Sequence, residues 1–235
     1  MLTRVDATIA VSAHAQSLVI GLGVTPGLVH LVYPGVDAPN GNSRRRPREP
    51  SIVVISRLEE RYKGHDVLLR SLPLIRSRVP AAHLHVIGDG PLRGHLEALA
   101  AGLGVGEAVS FQGRVTDEER DEIVRRASVF ALLSRVDALG SGEGFGIVYV
   151  EAGRLGLPVV AGRAAGAVEA VRDGETGILV DPDDHVGAAD AIVSLLAAPE
   201  LAERLGAAGR ERARARSWQR AAGEVEDVLD RVVTR

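Results

Sequence analysis

S-G-E-G-F-G-I-V-Y-V-E-A-G-R-L-G-L-P-V-V, residues 141–160, contains three readable parts in a row. A glycine-rich turn carries Glu143, a helical segment carries Glu151, and a short apolar strand closes the run. Gly142, Gly144 and Gly146 bare the backbone N–H groups where the helix begins. The first N–H groups of a helix have no intrahelical partners and the macrodipole is positive there, so this end attracts anions.

The same alternation extends in both directions. Apolar runs at 52–55, 84–87, 109–112, 129–133, 158–161 and 178–180 read as short buried strands. Helix-length periodic segments lie between most of them. Leu68, Leu69, Leu72 and Ile75 form one apolar face. Leu92, Leu96, Leu99 and Leu103 form another, with Pro91 expected at the first helical position. Thr116 and Glu119 make a capping-box pattern opening a helix to about residue 127. Apolar strands separated by helices predict a parallel sheet covered on both faces, a doubly wound, Rossmann-like α/β domain. Ligands of such sheets bind beyond the strands' carboxyl ends.

Residues 1–40 stand apart. Positions 8–11 read as a strand, Ser12 as an N-cap, 13–22 as a helix and 29–32 as a second strand. One βαβ unit cannot bury its own faces, so the tail of a preceding domain is expected here. The stretch P-N-G-N-S-R-R-R-P-R-E-P at 39–50 is rich in turn formers and charge, which makes 41–50 a linker. Its arginines at 44–46 could meet phosphates, but nothing aromatic interleaves them and a solvated linker is the simpler reading. Residues 51–217 then form one domain, and E-R-A-R-A-R at 211–216 reads as a solvated helix face. Trp218, the chain's one tryptophan, opens a last helix over 218–235 and is expected to pack against another element.

Composition narrows the function. The chain has 235 residues, 46% hydrophobic and 25% charged, as for an ordinary globular protein. A formal net charge of -3 supplies no basic field for nucleic acid, and 3% aromatic residues are too few for a base-stacking platform. Without cysteine there is no disulfide, thiolate nucleophile or cysteine metal site, which is compatible with a reducing cytosol. The opening M-L-T-R-V-D lacks a signal-peptide pattern, and no apolar run approaches the roughly 18 residues of a spanning helix.

Several motifs carry charge to strand ends. Arg57, in Ser56-Arg57-Leu58, and Lys63, in Tyr62-Lys63-Gly64, both follow the first domain strand. Arg57 suits a phosphate as a planar fork and Lys63 as a point charge. A phosphate between these cations and the helix start, with carboxylates beside it for hydroxyls, would suit a nucleotide sugar. Gly88-Asp89-Gly90-Pro91 resembles half of a dinucleotide fingerprint without its third glycine, so a tight turn is the better reading. Glu143 and Glu151 are separated by seven residues. Glycosidase carboxylates sit about 5–9.5 Å apart, whereas eight helical residues span about 12 Å with a turn of about 80°. That spacing fits two points on an extended ligand. Glu151 also lies within I-V-Y-V-E-A, where an unpartnered charge is costly. His83 and His85 share a strand face without a further ligand cluster, and D-P-D-D-H at 181–185 reads as a turn and helix cap.

In order and spacing, these motifs resemble the retaining glycosyltransferases of family 4, which have the two-lobed GT-B fold. The resemblance rests on S-R-L-x4-K-G at 56–64, V-I-G-D-G-P at 86–91, F-Q-G-R-V at 111–115, E-G-F-G-I-V-Y-V-E-A at 143–152, G-L-P-V-V-A at 156–161 and D-G-E-T-G-I-L-V at 173–180. It implies the second, donor-binding lobe, with the end of the acceptor lobe in 1–40 and a last helix that crosses back to that lobe. It implies that Arg57 and Lys63 bind the donor pyrophosphate and, with Glu143, carry the catalytic work. Glu143 would bind the transferred sugar, while Gly144 and the backbone at Phe145, Gly146 and Ile147 contact sugar and phosphate. Glu151 would hold the ribose, Arg114 and Val115 would frame the base, and the loop 162–166 would lie near the donor. Pro34-Gly35-Val36-Asp37 departs from the usual Asn before Gly-Val-Asp. The resemblance also implies that most of the acceptor lobe, where the acceptor site and a nearby catalytic histidine would lie, is missing.

The implied activity is retaining transfer of a hexose from a UDP-, GDP- or ADP-sugar to a hydroxyl of a glycan, lipid or small molecule. It implies no cofactor and no metal. The expected location is cytoplasmic, with peripheral attachment at an inner membrane face left to the missing lobe. Two alternatives stand beside it: a nucleotide-sugar-binding module without turnover, and a nicotinamide-dependent oxidoreductase, which the incomplete glycine fingerprint disfavours.

Overall fold

The computed structural model describes residues 5–37, 49–138 and 140–233. At its start, β1 (Thr8–Ala10) pairs in parallel with β2 (Val29–Leu31), and α1 (Ala13–Gly21) connects them. Ser12 caps α1 by accepting from the Ala15 N–H at 2.9 Å. Most of the 41–50 linker, including the arginines at 44–46, lies outside the described residues.

Beyond it, strands and helices alternate: β3 (Ser51–Ile55), α2 (His65–Arg78), β4 (His83–Ile87), α3 (Arg93–Gly102), β5 (Val109–Gly113), α4 (Asp117–Arg126), β6 (Val129–Leu132) and α5 (Ile147–Arg154). There follow β7 (Val159–Gly162), α6 (Ala167–Ala170), β8 (Gly177–Val180), α7 (His185–Ala197), α8 (Pro199–Arg214) and α9 (Trp218–Val233). The six strands β3–β8 form one parallel sheet in the order β5-β4-β3-β6-β7-β8, as the apolar runs predict. Ile52, Val53 and Val54 of β3 and all of β6 are buried, so both faces of the sheet are covered. The buried stripe of α2 includes Leu68, Leu69, Leu72 and Ile75; α2 packs on α3 and α7, and α5 on α8. The capping box at Thr116 is present, with both reciprocal hydrogen bonds. Asp184 caps α7, as the turn-and-cap reading expects.

Three expectations are corrected. Pro91 is not the first helical residue, because α3 begins at Arg93. The preceding turn is taken up by the chain after β3, with the Leu92 N–H donating to the Leu58 carbonyl at 2.9 Å. The 211–216 arginines are not simply a solvated face. Arg212 donates to the Glu169 carbonyl at 2.6 Å, and Arg216 to the Tyr33 carbonyl at 3.0 Å. Trp218 keeps 47% of its surface exposed. The chain before α9 is tied to the N-terminal segment through Arg216, whose carbonyl also accepts from the Val36 N–H at 2.9 Å.

Candidate active site

Connections run outward from β3 through β4 to β5, and from β6 through β7 to β8, so the strand order reverses between β3 and β6. In open parallel sheets the carboxyl ends of the strands at such a reversal are the usual ligand site.

From β3 the chain passes through Ser56 and Arg57 to a short 3-10 turn, Arg61–Lys63, and then into α2. Ser56 Oγ lies 2.8 Å from Nε2 of His65, at the first position of α2. His65 is buried, and burial pushes its pKa down to about 4 against the opposing pull of Asp66, so the ring is neutral near pH 7. The backbone of Ser56 runs over Gly88, where a Cβ would sit 1.9 Å from the Ser56 carbonyl oxygen. The Gly88–Gly90 pattern is thus a close crossing under the Arg57 loop rather than a dinucleotide cradle.

From β6 the chain passes through Ser134 and Arg135 into the glycine-rich turn. Lys63 Nζ and Glu143 Oε2 meet at 2.8 Å, with side chains only 12% and 14% exposed. Ser134 Oγ donates to the same carboxylate oxygen at 3.3 Å. Arg135 fastens the two loops: its N–H donates to the Tyr62 carbonyl at 2.8 Å, and its guanidinium reaches the Arg61 carbonyl, Asp66 and Asp183, each at 3.0 Å.

Gly146 precedes α5 with φ +86°, and a Cβ there would lie 2.4 Å from the Tyr149 ring. Among the described residues no side chain caps α5, which leaves the first N–H groups of that helix without a side-chain acceptor. Tyr149 anchors the helix beneath: its hydroxyl donates to the Leu132 carbonyl at 3.0 Å, its ring stands edge-on to Phe130 at 5.9 Å, and burial raises its pKa. Phe145 is buried, 5.6 Å from the Tyr33 ring, while Gly144 is exposed and Ile147 half-buried.

The other sequence-derived residues are placed differently. Arg57 is exposed at the same strand end, but its guanidinium is turned to Glu59 at 3.2 Å and Glu60 at 3.1 Å. Glu151 is half-buried on α5, and among the described residues nothing hydrogen-bonds to or ion-pairs with its carboxylate. An acceptor is therefore available where the sequence reading asked for a partner. Arg114 is exposed and Val115 half-buried just past β5, outside the Lys63–Glu143 contact. The loop 162–166 packs on the glycine-rich turn, the Gly166 N–H donating to the Glu143 carbonyl at 2.8 Å. His83 and His85 have ring centroids 4.9 Å apart and bond to Ser110 and Gln112, and no group of metal-binding side chains occurs among the described residues.

Sequence reasoning missed Arg135, Ser134, His65 and Glu169. Their roles consist of hydrogen bonds to particular backbone and side-chain atoms, which leave no periodic trace. Ser12 was visible as a cap, but not its second bond to the Gly144 carbonyl at 2.5 Å.

Together these groups form a helix start with a cation–carboxylate pair beside it and, further along α5, a carboxylate that is unengaged among the described residues. Such a set can hold an anion and the hydroxyls on either side of it.

The model of the family described as glycosyl transferases group 1 matches residues 40–212. The GDP-mannose-dependent alpha-(1-6)-phosphatidylinositol monomannoside mannosyltransferase of Mycolicibacterium smegmatis is 42% identical over 218 residues, covering 87% of this chain and 56% of that protein. The chain thus spans little more than half the length of this relative. Among solved structures, sucrose-phosphate synthase from Thermosynechococcus elongatus superposes with a TM-score of 0.84 at 26% identity, over 99% of this chain and 60% of that one. Anabaena HepE in complex with UDP and glucose superposes with a TM-score of 0.83 at 22% identity, over 96% of this chain and 63% of that one, a likeness of fold.

Proposed function

Because the chain belongs to the group 1 glycosyl transferases, in family 4 with the GT-B fold, we propose that it supplies the donor-binding half of a hexosyltransferase. The observation that carries this is the Lys63–Glu143 pair, held at 2.8 Å beside the uncapped start of α5 at the strand-order reversal.

In this reading the diphosphate of a nucleotide sugar lies at the first N–H groups of α5, with Lys63 and Arg57 on its other side. Arg57 exchanges Glu59 and Glu60 for phosphate oxygens. Glu143 accepts from hydroxyls of the transferred sugar, and Gly144, Phe145, Gly146 and Ile147 line the turn between sugar and phosphate. Glu151, with its carboxylate unengaged, accepts from the ribose hydroxyls. Arg114 and Val115 frame the base, and the loop 162–166 closes the site behind Glu143. The relative's name supports GDP-mannose as donor over UDP- or ADP-sugars, and a lipid-linked inositol mannoside as one acceptor.

When the glycosidic bond breaks, negative charge grows on the departing nucleoside diphosphate. Lys63 and the α5 amides are already in place to offset it, and Arg57 joins them once it has left Glu59 and Glu60. Transfer with retention has the acceptor hydroxyl attack on the face that the leaving group vacates. In this reading an acceptor lobe pairs with this half to bind the acceptor and to make any membrane attachment at the cytoplasmic face. Titration calorimetry with GDP, UDP, ADP and their sugars tests the assignment, and binding of none of them would sink it. A chain that binds donor but shows no transfer to any acceptor offered supports the module reading.

A further inference from the structure

Glu169 is a half-buried carboxylate for which the donor reading has no use, yet it gathers three hydrogen bonds from the far end of the chain. It accepts from the N–H groups of Ala13 at 2.7 Å and His14 at 3.1 Å, the first two residues of α1, and from the Tyr33 hydroxyl at 2.9 Å. These partners lie 156, 155 and 136 positions earlier. The backbone of Glu169 is itself held from α8, where Arg212 donates to its carbonyl at 2.6 Å.

Ser12 caps α1 through the Ala15 N–H alone, so Glu169 satisfies two amides that Ser12 leaves open and caps the helix from a distant part of the chain, with the Tyr33 hydroxyl as a third donor outside the helix. A hydroxyl has one proton to donate besides the bond it accepts, and Ser12 gives that proton to the Gly144 carbonyl at 2.5 Å. On the other side of Glu169, the Gly166 N–H holds the Glu143 carbonyl at 2.8 Å. The peptide units of Glu143 and Gly144 are thus fixed at two points. One is a residue away from the α1 amides that Glu169 binds, and the other is three residues before Glu169 in the same loop and helix.

We propose that Glu169 is a positioning residue of the donor site: by joining the start of α1 and Tyr33 to α6, it sets the Glu143–Gly144 peptide where the transferred sugar is bound. The inference rests on the donor-site reading. It predicts that loss of Glu169 acts on recognition of the sugar and not on the diphosphate, which Lys63, Arg57 and the α5 amides hold.

The test is calorimetry of the chain with GDP and GDP-mannose, and with UDP and UDP-glucose, on the wild type, Glu169→Gln and Ser12→Ala. Glutamine keeps the shape of the side chain but removes its charge and places an amide against N–H donors. In both variants the dissociation constant of the nucleotide sugar relative to its free diphosphate is expected to rise about three- to tenfold, the size of one hydrogen bond. Amide exchange at Ala13 and His14 is expected to quicken in Glu169→Gln. An unchanged ratio in both variants overturns the proposal. So does an equal weakening of diphosphate and nucleotide sugar, which marks a merely structural role. Wild type that binds none of the four ligands defeats the donor reading and this inference together, and that result is read before any variant is made.

Discussion

Lys63→Met should damage the protein in two measurable ways, and both follow from the pair it makes with Glu143. The contact is 2.8 Å, and the two side chains are 12% and 14% exposed, so each charge has given up most of its hydration to the other. Removing one member of a fully buried pair costs about 3–5 kcal/mol, because the partner is left uncompensated. The residual exposure and the Ser134 hydroxyl at 3.3 Å soften that cost, so about 2–3 kcal/mol is expected from Lys63→Met in urea denaturation. Glu143→Gln should cost a comparable amount by stranding the ammonium. The double variant leaves neither charge behind, so it should be more stable than the sum of the singles by at least about 1 kcal/mol. The second effect is on the ligand. A charge-assisted hydrogen bond to phosphate contributes about 1.5–3 kcal/mol, so calorimetry should find nucleoside diphosphate binding weakened about 10- to 150-fold by Lys63→Met. Glu143→Gln should leave a freed ammonium and spare the diphosphate. Additive stabilities would refute the pairing, and undiminished diphosphate affinity in Lys63→Met would refute its assignment to the phosphates.

Three other perturbations test separate parts of the site. His65 holds fewer protons folded than unfolded between pH 6.5 and about 4, so stability is full above that window and falls as the pH drops through it. The full span is equivalent to about 3 kcal/mol, and His65→Gln should flatten the fall between pH 7 and pH 5 when urea midpoints are compared; an equally steep fall would show that His65 is not its source. Gly146→Ala places a Cβ 2.4 Å from the Tyr149 ring at φ +86°, and should cost at least about 2 kcal/mol in thermal or urea unfolding. A variant as stable as wild type would mean that the turn relaxes freely. Glu151→Ala should weaken nucleoside diphosphate binding more than Glu143→Ala does, and calorimetry returning the opposite order would reverse the ribose and sugar assignments.

How much of this was legible before the structure depends on what kind of bond each feature makes. The sheet was legible because a strand buried on both faces needs an unbroken apolar run, and the runs at 52–55 and 129–133 are of strand length and too short for a buried helix. The position of Lys63 and Glu143 was legible because a cation and a carboxylate sat at turns after strands, where a parallel sheet puts its ligands. Their direct contact was not legible, because nothing local fixes a separation of 80 positions. Glu169 reads as an ordinary solvent-side residue within A-V-E-A-V, since two of its three partners are backbone amides, which every sequence possesses, and the third is a hydroxyl 136 positions away. Arg212 and Arg216 misled for the same reason: alternation with alanine looks solvated until the carbonyls of Glu169 and Tyr33 are placed beside them. Trp218 misled in the opposite sense, because size alone argued for burial and about half of it is exposed.

The two carboxylates of the opening stretch are prepared differently, and under the proposed function that difference has a consequence. Glu151 meets its ligand with no bond to break among the described residues. Glu143 meets it already joined to Lys63. A diphosphate that draws on the Lys63 ammonium takes part of the counter-charge from Glu143, and a carboxylate losing a cation becomes a stronger acceptor for hydroxyl protons. The hydroxyls that can answer are those of the sugar attached to the same diphosphate. Free diphosphate strands Glu143, whereas the intact donor satisfies both members of the pair at once. The site therefore favours an intact nucleotide sugar over its separate halves. That preference weakens when the bond between sugar and phosphate breaks, which is when the product diphosphate has to leave.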